Sequence, residues 1–409
     1  MLSSSKGASM LEIKKCEICG STNLIEVLNL GNHPLCDDLK KVGSSEVCKE
    51  YPITILYCES CKSAHQKYQI QKQILFPKEY HYRSKQTNDV LNGMKNLVAS
   101  VAETFGDLKN KKVLDIGCND GSLLDIFSDF GAITFGVEPT FAALDANAKH
   151  KIFNTYFDSD IAEILKGEKF DFITFTNVFA HIENLDNLLY SLNKIINNET
   201  IIVIENHYLG SILNSLQFDT FYHEHPRTYS LSSFEFIAKK LNKKITKVEF
   251  PQRYGGNIRI FLGEKAKDSI ESIKLKEQNF LNEFKNMNNR IKIWQEKKGQ
   301  EIFNLIKKFG KLHAKAFPGR AAILLKMLNL NENHLSGIYE KKDSKKIGFY
   351  APSTKIPILS DELLFTQNHD IVLNLAWHIS GEIRQYLESN AKIHNIKIDK
   401  IIDILDKDF

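Results

Sequence analysis

Apolar and polar positions along this chain fall into three regimes. Up to residue 85 the apolar runs are short and interrupted by cysteines. Leu28-Asn29-Leu30 leads into Gly31-Asn32-His33-Pro34, and residues 53–57 read as a second strand. From about residue 89 to 105 the spacing turns helical, and short, nearly continuous apolar runs follow. They cover 113–116, 133–137, 170–174 and 200–205, with a helix expected at 184–196 ahead of the last. Runs that are apolar on both faces are buried parallel strands, and their alternation with helices predicts βαβ units in a doubly wound sheet. Past a helix at 233–241, residues 270–311 are rich in Lys, Glu and Asn at helical spacing and read as a long exposed connector. A helix at 321–328, strands ending near 340 and 378 and a helix at 382–387 close the chain. The expectation is an α/β protein in four parts: an N-terminal module (1–85), a central Rossmann-like domain (86–265), a helical connector (266–310) and a C-terminal α/β domain (311–409).

Cysteine placement changes the picture of the first part. Six of the seven cysteines lie within the first 61 residues. That concentration, with an odd count, argues for metal in a reducing compartment over a disulfide framework. Cys16-Glu17-Ile18-Cys19 and Cys58-Glu59-Ser60-Cys61 are two C-x-x-C knuckles. Together Cys16, Cys19, Cys58 and Cys61 offer four thiolates, which suits a closed structural zinc site. Cys36 and Cys48 lack such partners and are left out; His33 and His65 are read as bystanders. A net charge of +4 over 409 residues is too mild to argue for a nucleic-acid partner. No apolar run approaches the ~20 residues that span a bilayer. The opening MLSSSKGASM lacks an apolar signal core. A cytoplasmic protein, monomeric or a small homo-oligomer, is expected.

The stretch with the clearest chemistry is KVLDIGCNDGSLLDIF, residues 112–127. An apolar strand ends in a tight turn through Asp115, Gly117, Cys118, Asn119, Asp120 and Gly121, and helical spacing resumes at Ser122. Ligands of open α/β sheets bind outside the carboxyl ends of the strands. The G-x-x-x-G spacing lacks the third glycine of a dinucleotide fingerprint and the Lys-Ser/Thr of a P-loop. Its D-x-G-C-x-x-G pattern resembles motif I of the class I S-adenosylmethionine methyltransferases. Gly136-Val137-Glu138-Pro139 ends the next run with an acid that suits a ribose diol. S-adenosylmethionine is therefore expected against Asp115, Gly117, Cys118, Asn119, Gly121, Glu138 and Pro139. Asn177, past the strand end in Thr176-Asn177-Val178-Phe179-Ala180-His181, should join them, with His181 facing the same cleft.

Two further stretches are dense in ionisable groups. One is Glu79-Tyr80-His81-Tyr82-Arg83-Ser84; the other runs Thr220-Phe221-Tyr222-His223-Glu224-His225-Pro226-Arg227-Thr228-Tyr229-Ser230. H-E-H is not H-E-x-x-H, so a zincin is rejected. Extended backbone would put Tyr222 and Glu224 on one side and His223 and His225 on the other, unless turns intervene. The chemistry on offer is general acid/base work by a histidine with a carboxylate partner.

Taken in order, these pieces resemble the bacterial C-methyltransferases that act on nucleotide-linked 4-keto-deoxysugars. The resemblance runs from the four cysteines through EYHYRS, VLDIGCNDG, TNVFAHI, TFYHEHPRTYSL and RYGGNIRIF to GFYAPSTKIPI and DIVLNLAWHISGEI. It implies a nucleotide-linked sugar enclosed by the N-terminal module and central domain and held in part by the C-terminal domain. It also implies carbon chemistry, in which a C4 ketone makes the C3 proton removable and the enolate takes the methyl group. On that resemblance His225 is the base, with Glu224 orienting it. Tyr222, Tyr80 and His181 are donors to the sugar or enolate. One departure is Ala316-Phe317-Pro318-Gly319-Arg320-Ala321, where the family carries G-A-x-x-K-G. Arg for Lys changes the donor geometry, and a different sugar or nucleotide is expected. A sugar O- or N-methyltransferase, or a scaffold that binds cofactor without turnover, stays open at this point.

Overall fold

Val113, Leu114 and Ile116 offer water no polar face, and the chain buries them inside a seven-stranded sheet. The computed structural model describes residues 10–76, 83–86, 88–266 and 269–406. The chain divides into two units. The first holds Met1–Glu26, Ile55–Ser211 and Glu224–Leu281; the second holds Val27–Thr54, Ile212–His223 and Asn282–Phe409.

Helix α1 (Asn88–Phe105) leads into the sheet of the first unit, within a residue of its expected span. Its strands are β1 (Lys112–Ile116), β2 (Ile133–Val137), β3 (Lys151–Phe153), β4 (Phe172–Thr176), β5 (Ile201–His207), β6 (Lys244–Glu249) and β7 (Asn257–Gly263). Helix α2 (Ser122–Asp129) follows β1. The spatial order is β3-β2-β1-β4-β5-β7-β6, parallel except for β7, which is antiparallel to both β5 and β6. Strand order therefore reverses between β1 and β4, the place where such sheets bind ligands. β4 starts two residues later than its apolar run suggests. Asp171 holds its entrance, accepting from the Lys112 amide at 2.9 Å and from Lys111 Nζ at 2.9 Å. Val90, Met94, Leu97, Val98 and Val101 of α1 pack with Val113, Leu123, Phe127, Phe172 and Phe261 in one buried cluster. Their 4-3-1-3 spacing is what gives α1 its apolar face.

The exposed connector is corrected. Residues 270–311 are helical, as Glu271–Glu277 and α3 (Phe280–Phe309), but one face of α3 is buried. Phe280, Phe284, Met287, Ile291 and Trp294 recur at 4-3-4-3 and are all buried. Each such side chain contributes roughly 1.5–3 kcal/mol on leaving water. Even Lys298 is buried, with its ammonium 2.7 Å from both Glu301 and Asp406. The Lys/Glu background hid this stripe.

The second unit carries its own parallel sheet: β8 (Leu312–Lys315), β9 (Leu335–Glu340), β10 (Ile358–Ser360), β11 (His369–Asn374) and β12 (Ile398–Asp403). Their order is β10-β9-β8-β11-β12, again reversing beside the first strand. Helix α4 (Ser380–Ile393) covers it through Ile383 and Leu387.

Candidate active site

The turn after β1 takes left-handed backbone at Gly117 (φ 77°), Asn119 (φ 49°) and Gly121 (φ 77°). A side chain at Gly117 would stand 2.5 Å from Val178, so only glycine lets this turn run against the loop after β4. Glu138, just past β2, is buried. It accepts from the Asn119 amide at 3.1 Å, the Thr140 amide at 2.9 Å and the Thr140 hydroxyl at 2.6 Å. A carboxylate has about four acceptor sites, so one is left for a ligand hydroxyl. Burial raises its pKa against those bonds. Burial also pushes Asp115 up to about 7, against a 2.7 Å bond from the Thr174 hydroxyl. The Cys118 thiol is buried and held well above its usual range. Pro139 is half-buried next to Glu138. Asn177 (φ 55°) donates its amide to the Glu205 carbonyl at 2.7 Å and accepts from Asn257 Nδ2 at 3.1 Å. Thr176 Oγ1 and Asn177 Nδ2 are buried with no hydrogen-bond partner. Unpaired polar atoms at the end of β4, beside a glycine turn and a buried acid, fit a polar nucleoside-like cofactor.

Two parts of this turn escaped the sequence. Asn119 Oδ1 accepts from the Ser84 amide at 3.0 Å, and Asp120 Oδ2 from the Lys85 amide at 2.9 Å. Arg83 Nε bonds Asp145 at 2.6 Å. The end of the EYHYRS stretch is thereby tied to the cofactor turn. Tyr80 lies outside the described residues.

The four knuckle cysteines converge. The Sγ atoms of Cys16, Cys19, Cys58 and Cys61 all lie within 4.8 Å of one another. Cys16 and Cys61 are 3.5 Å apart and Cys19 and Cys58 are 3.6 Å apart, near the ~3.8 Å edge that ~2.3 Å zinc–sulfur bonds give a tetrahedron. Each knuckle closes the same way: the Gly20 amide bonds the Cys16 carbonyl, the Lys62 amide bonds the Cys58 carbonyl, and both donors have positive φ. His65 is not a fifth ligand but sits beside the set, its Nε2 3.3 Å from Cys16 Sγ. The cluster also anchors the second dense stretch. Arg227 pairs with Glu17 of the first knuckle at 2.8 Å and donates to the Glu183 carbonyl at 3.2 Å. Ser230 Oγ donates to the Cys61 carbonyl at 2.9 Å, and the Gln66 amide to the Pro226 carbonyl at 2.9 Å.

Within that stretch a turn at His223 and Glu224 breaks the extended alternation. His223 Nε2 lies 3.0 Å from the Tyr51 carbonyl in the second unit, and burial lowers its pKa to about 4. Tyr222 is half-buried in that unit. His225 belongs to the first unit and is buried, its ring 4.6 Å from that of His181 and 5.4 Å from that of His207. His181 donates Nδ1–H to the Glu224 carbonyl at 2.7 Å. The structure thus sets the Glu224 main chain against His181. Burial lowers the pKa of His181 to about 4, against hydrogen bonds to the Glu224 and Asn177 main chains, so its ring is neutral. His207 was missed because the strand IIVIENH offers only an apolar run with a polar end.

Three family models match consecutive parts of the chain: a zinc binding domain at residues 16–76, a methyltransferase domain at 90–248 and a C-methyltransferase C-terminal domain at 252–396. The C-methyltransferase NovU of Streptomyces niveus is 23% identical over 405 residues, spanning 93% of this chain and 94% of its own. The chain is a methyltransferase that carries a C-methyltransferase C-terminal domain. The order of modules is that of the enzyme's own regions: cysteine cluster, cofactor sheet and second sheet. A ubiquinone biosynthesis O-methyltransferase of Glaesserella parasuis serovar 5 (strain SH0165) is 29% identical over 117 residues, 26% of this chain and 50% of its own. The structure of the plantazolicin methyltransferase BpumL with SAH is 18% identical at a TM-score of 0.35, covering 43% of this chain and 84% of that one. No helix among the described residues is long and apolar enough to cross a membrane.

Proposed function

We propose that the enzyme transfers the methyl group of S-adenosylmethionine to the carbon next to the ketone of a nucleotide-linked 4-keto sugar. The observation that carries this reading is the His225 ring packed on His181, whose orientation the Glu224 carbonyl holds. The residues around the first-sheet turn suit the cofactor: Glu138 for the ribose hydroxyls, Asp115 and Asn177 for its polar edges, Gly117 and Gly121 for close approach. When bound, that cofactor supplies a sulfonium methyl as electrophile. A sugar carbon is no nucleophile until a proton leaves it, and His225 is the group for that task. It packs beside a neutral His181, and an imidazole suits proton removal near neutral pH. Glu224 and Tyr222 flank it in sequence, and with Tyr80 they complete the proposed set. Zinc held by Cys16, Cys19, Cys58 and Cys61 would act structurally, fixing Arg227 and Ser230 and with them the His225 loop. The parts at 1–85, 86–265, 266–310 and 311–409 are the proposed division of labour, with the last helping to hold the nucleotide. A cytoplasmic setting, with neither nucleic acid nor membrane as partner, suits free thiols and a small soluble substrate.

The deciding experiment incubates the enzyme with isotopically labelled S-adenosylmethionine and a panel of nucleotide-linked 4-keto sugars. Label at carbon, together with solvent deuterium entering the position next to the ketone, is expected. His225→Ala should lower turnover by about 10²–10⁴-fold. Label on oxygen or nitrogen would replace the reading with a heteroatom methyltransferase, and rates within a few-fold of wild type would remove His225 as the base.

A further inference from the structure

Zinc held by four thiolates leaves a net negative charge, and three of these cysteines, Cys16, Cys58 and Cys61, are buried. Buried charge is costly unless hydrogen-bond donors face it. One donor comes from the knuckles themselves: the Cys19 amide reaches Cys16 Sγ at 3.5 Å. Two buried side chains that follow the second knuckle come closer. Ser63 Oγ stands 3.0 Å from Cys61 Sγ and 3.8 Å from Cys16 Sγ. His65 Nε2 stands 3.3 Å from Cys16 Sγ and 3.1 Å from Ser63 Oγ. The proposed chemistry gives neither residue a task.

The sulfurs fix which way these protons point. A metal-bound thiolate carries no hydrogen, so Cys16 and Cys61 can only accept. A hydroxyl has one proton to give. Were Ser63 to give it to His65, the lone pairs of both sulfurs would face acceptors. The pairing that avoids this sends the Ser63 O–H to Cys61, and the His65 Nε2–H toward Cys16 and the Ser63 oxygen. The imidazole is also held from behind. Its Nδ1 lies 3.6 Å from the Glu17 carboxylate, which accepts from Arg227 Nη1 at 2.8 Å and from Gln69 Nε2 at 2.6 Å. The main chain adds to this, because strand Ala64–Gln66 places His65 opposite Leu56 on one side and Arg227 on the other.

We propose that His65 and Ser63 are positioning residues of the metal site. His65 donates Nε2–H to the Cys16 thiolate, and Ser63 donates its hydroxyl to that of Cys61. These bonds orient the two sulfurs and offset part of the charge of the cluster, so zinc is held more tightly than by the cysteines alone. Arg227 follows His225 by two residues, so the strand that carries His65 also ties the cluster to the loop of the proposed base. The proposal rests on the reading of zinc at the four cysteines.

The test uses the full-length enzyme, loaded with zinc for affinity and with cobalt(II) for spectroscopy. His65→Leu removes the N–H at similar volume, His65→Gln keeps a donor, and Ser63→Ala removes the O–H. Zinc affinity, read by competition with a chromophoric chelator, should fall by about 10–100-fold in His65→Leu and in Ser63→Ala. His65→Gln should recover most of it. The sulfur-to-cobalt charge-transfer band should move to longer wavelength in the Leu and Ala variants, because a thiolate without its donor gives up electron density more easily. Packing alone would not move that band. Wild-type affinity and an unmoved band in His65→Leu and Ser63→Ala overturn the proposal, as does His65→Gln binding zinc as weakly as His65→Leu. Should His65→Leu not fold, Ser63→Ala decides on the same two readouts. A wild-type enzyme that binds no zinc is a separate failure, that of the metal reading itself.

Discussion

The two units each carry a largely parallel sheet in which strand order reverses beside the first strand, yet the two reversal points are built differently. In the first unit the turn after β1 is glycine-lined, and Thr176 Oγ1 and Asn177 Nδ2 wait at the end of β4 without partners. In the second unit most groups at the matching ends are paired from within, although Arg320 Nη2 has no hydrogen-bond partner. Lys315 at the end of β8 is buried and pairs with Asp361 at 2.6 Å, and Tyr386 donates to the same carboxylate at 2.7 Å. The Phe317 amide is taken by Glu340 and the Ala376 amide by Asn374. Arg320, the residue that departs from the family pattern, lies 3.0 Å from Asp219, donates to the Thr220 hydroxyl at 3.0 Å and sits over Trp377. Topology makes both places eligible for a ligand; the side chains leave polar groups open beside a glycine turn in one and tie up most of them in ion pairs and amide bonds in the other.

The largest way to break this comparison is to open the second site. Asp361→Ala strands the buried ammonium of Lys315 and should cost about 3–5 kcal/mol in urea unfolding. A loss below about 1 kcal/mol would mean that water reaches the pair. Next comes acid. Burial, with His369 beside it, lowers the pKa of His313 in the second sheet to about 4. The unfolded chain takes up that proton near pH 6.5 and the folded one does not. The contribution of this histidine is therefore complete above about pH 6.5 and is lost as pH falls towards 4, with solvent at the half-buried ring reducing its size. His313→Gln should flatten urea midpoints over that range; an unchanged pH slope would show His313 titrating normally. The smallest effect sharpens the first site. Glu138→Ala should weaken S-adenosylmethionine binding by roughly 1–3 kcal/mol in calorimetry, with little change in global stability. Unchanged affinity would place the ribose elsewhere.

Much of this was legible before any coordinates. The apolar runs at 113–116 and 133–137 became β1 and β2, and the helix at 89–105 became α1. The two C-x-x-C knuckles could be paired because each needs a second knuckle to complete a tetrahedron. Charge hid the buried face of α3, since the Phe280–Trp294 stripe sits among lysines and glutamates that a window average reads as solvated. The His223/His225 pattern misled in another way: alternation holds only in extended backbone, and the turn at His223 and Glu224 sends the two imidazoles to different partners.

What the sequence determined by itself was local: which runs are apolar enough to be strands, where the backbone needs glycine, which cysteines come in pairs. These follow from period and residue type within about ten positions. Which distant groups meet was decided by the tertiary structure. His207, 18 residues before His225, Arg227, 210 residues after Glu17, and Ser84, 35 residues before Asn119, become neighbours only once the sheet and the knuckles are assembled. The reason is physical: a side-chain contact is specified by the register of strands and the closure of loops, and neither is written in the residues that finally touch.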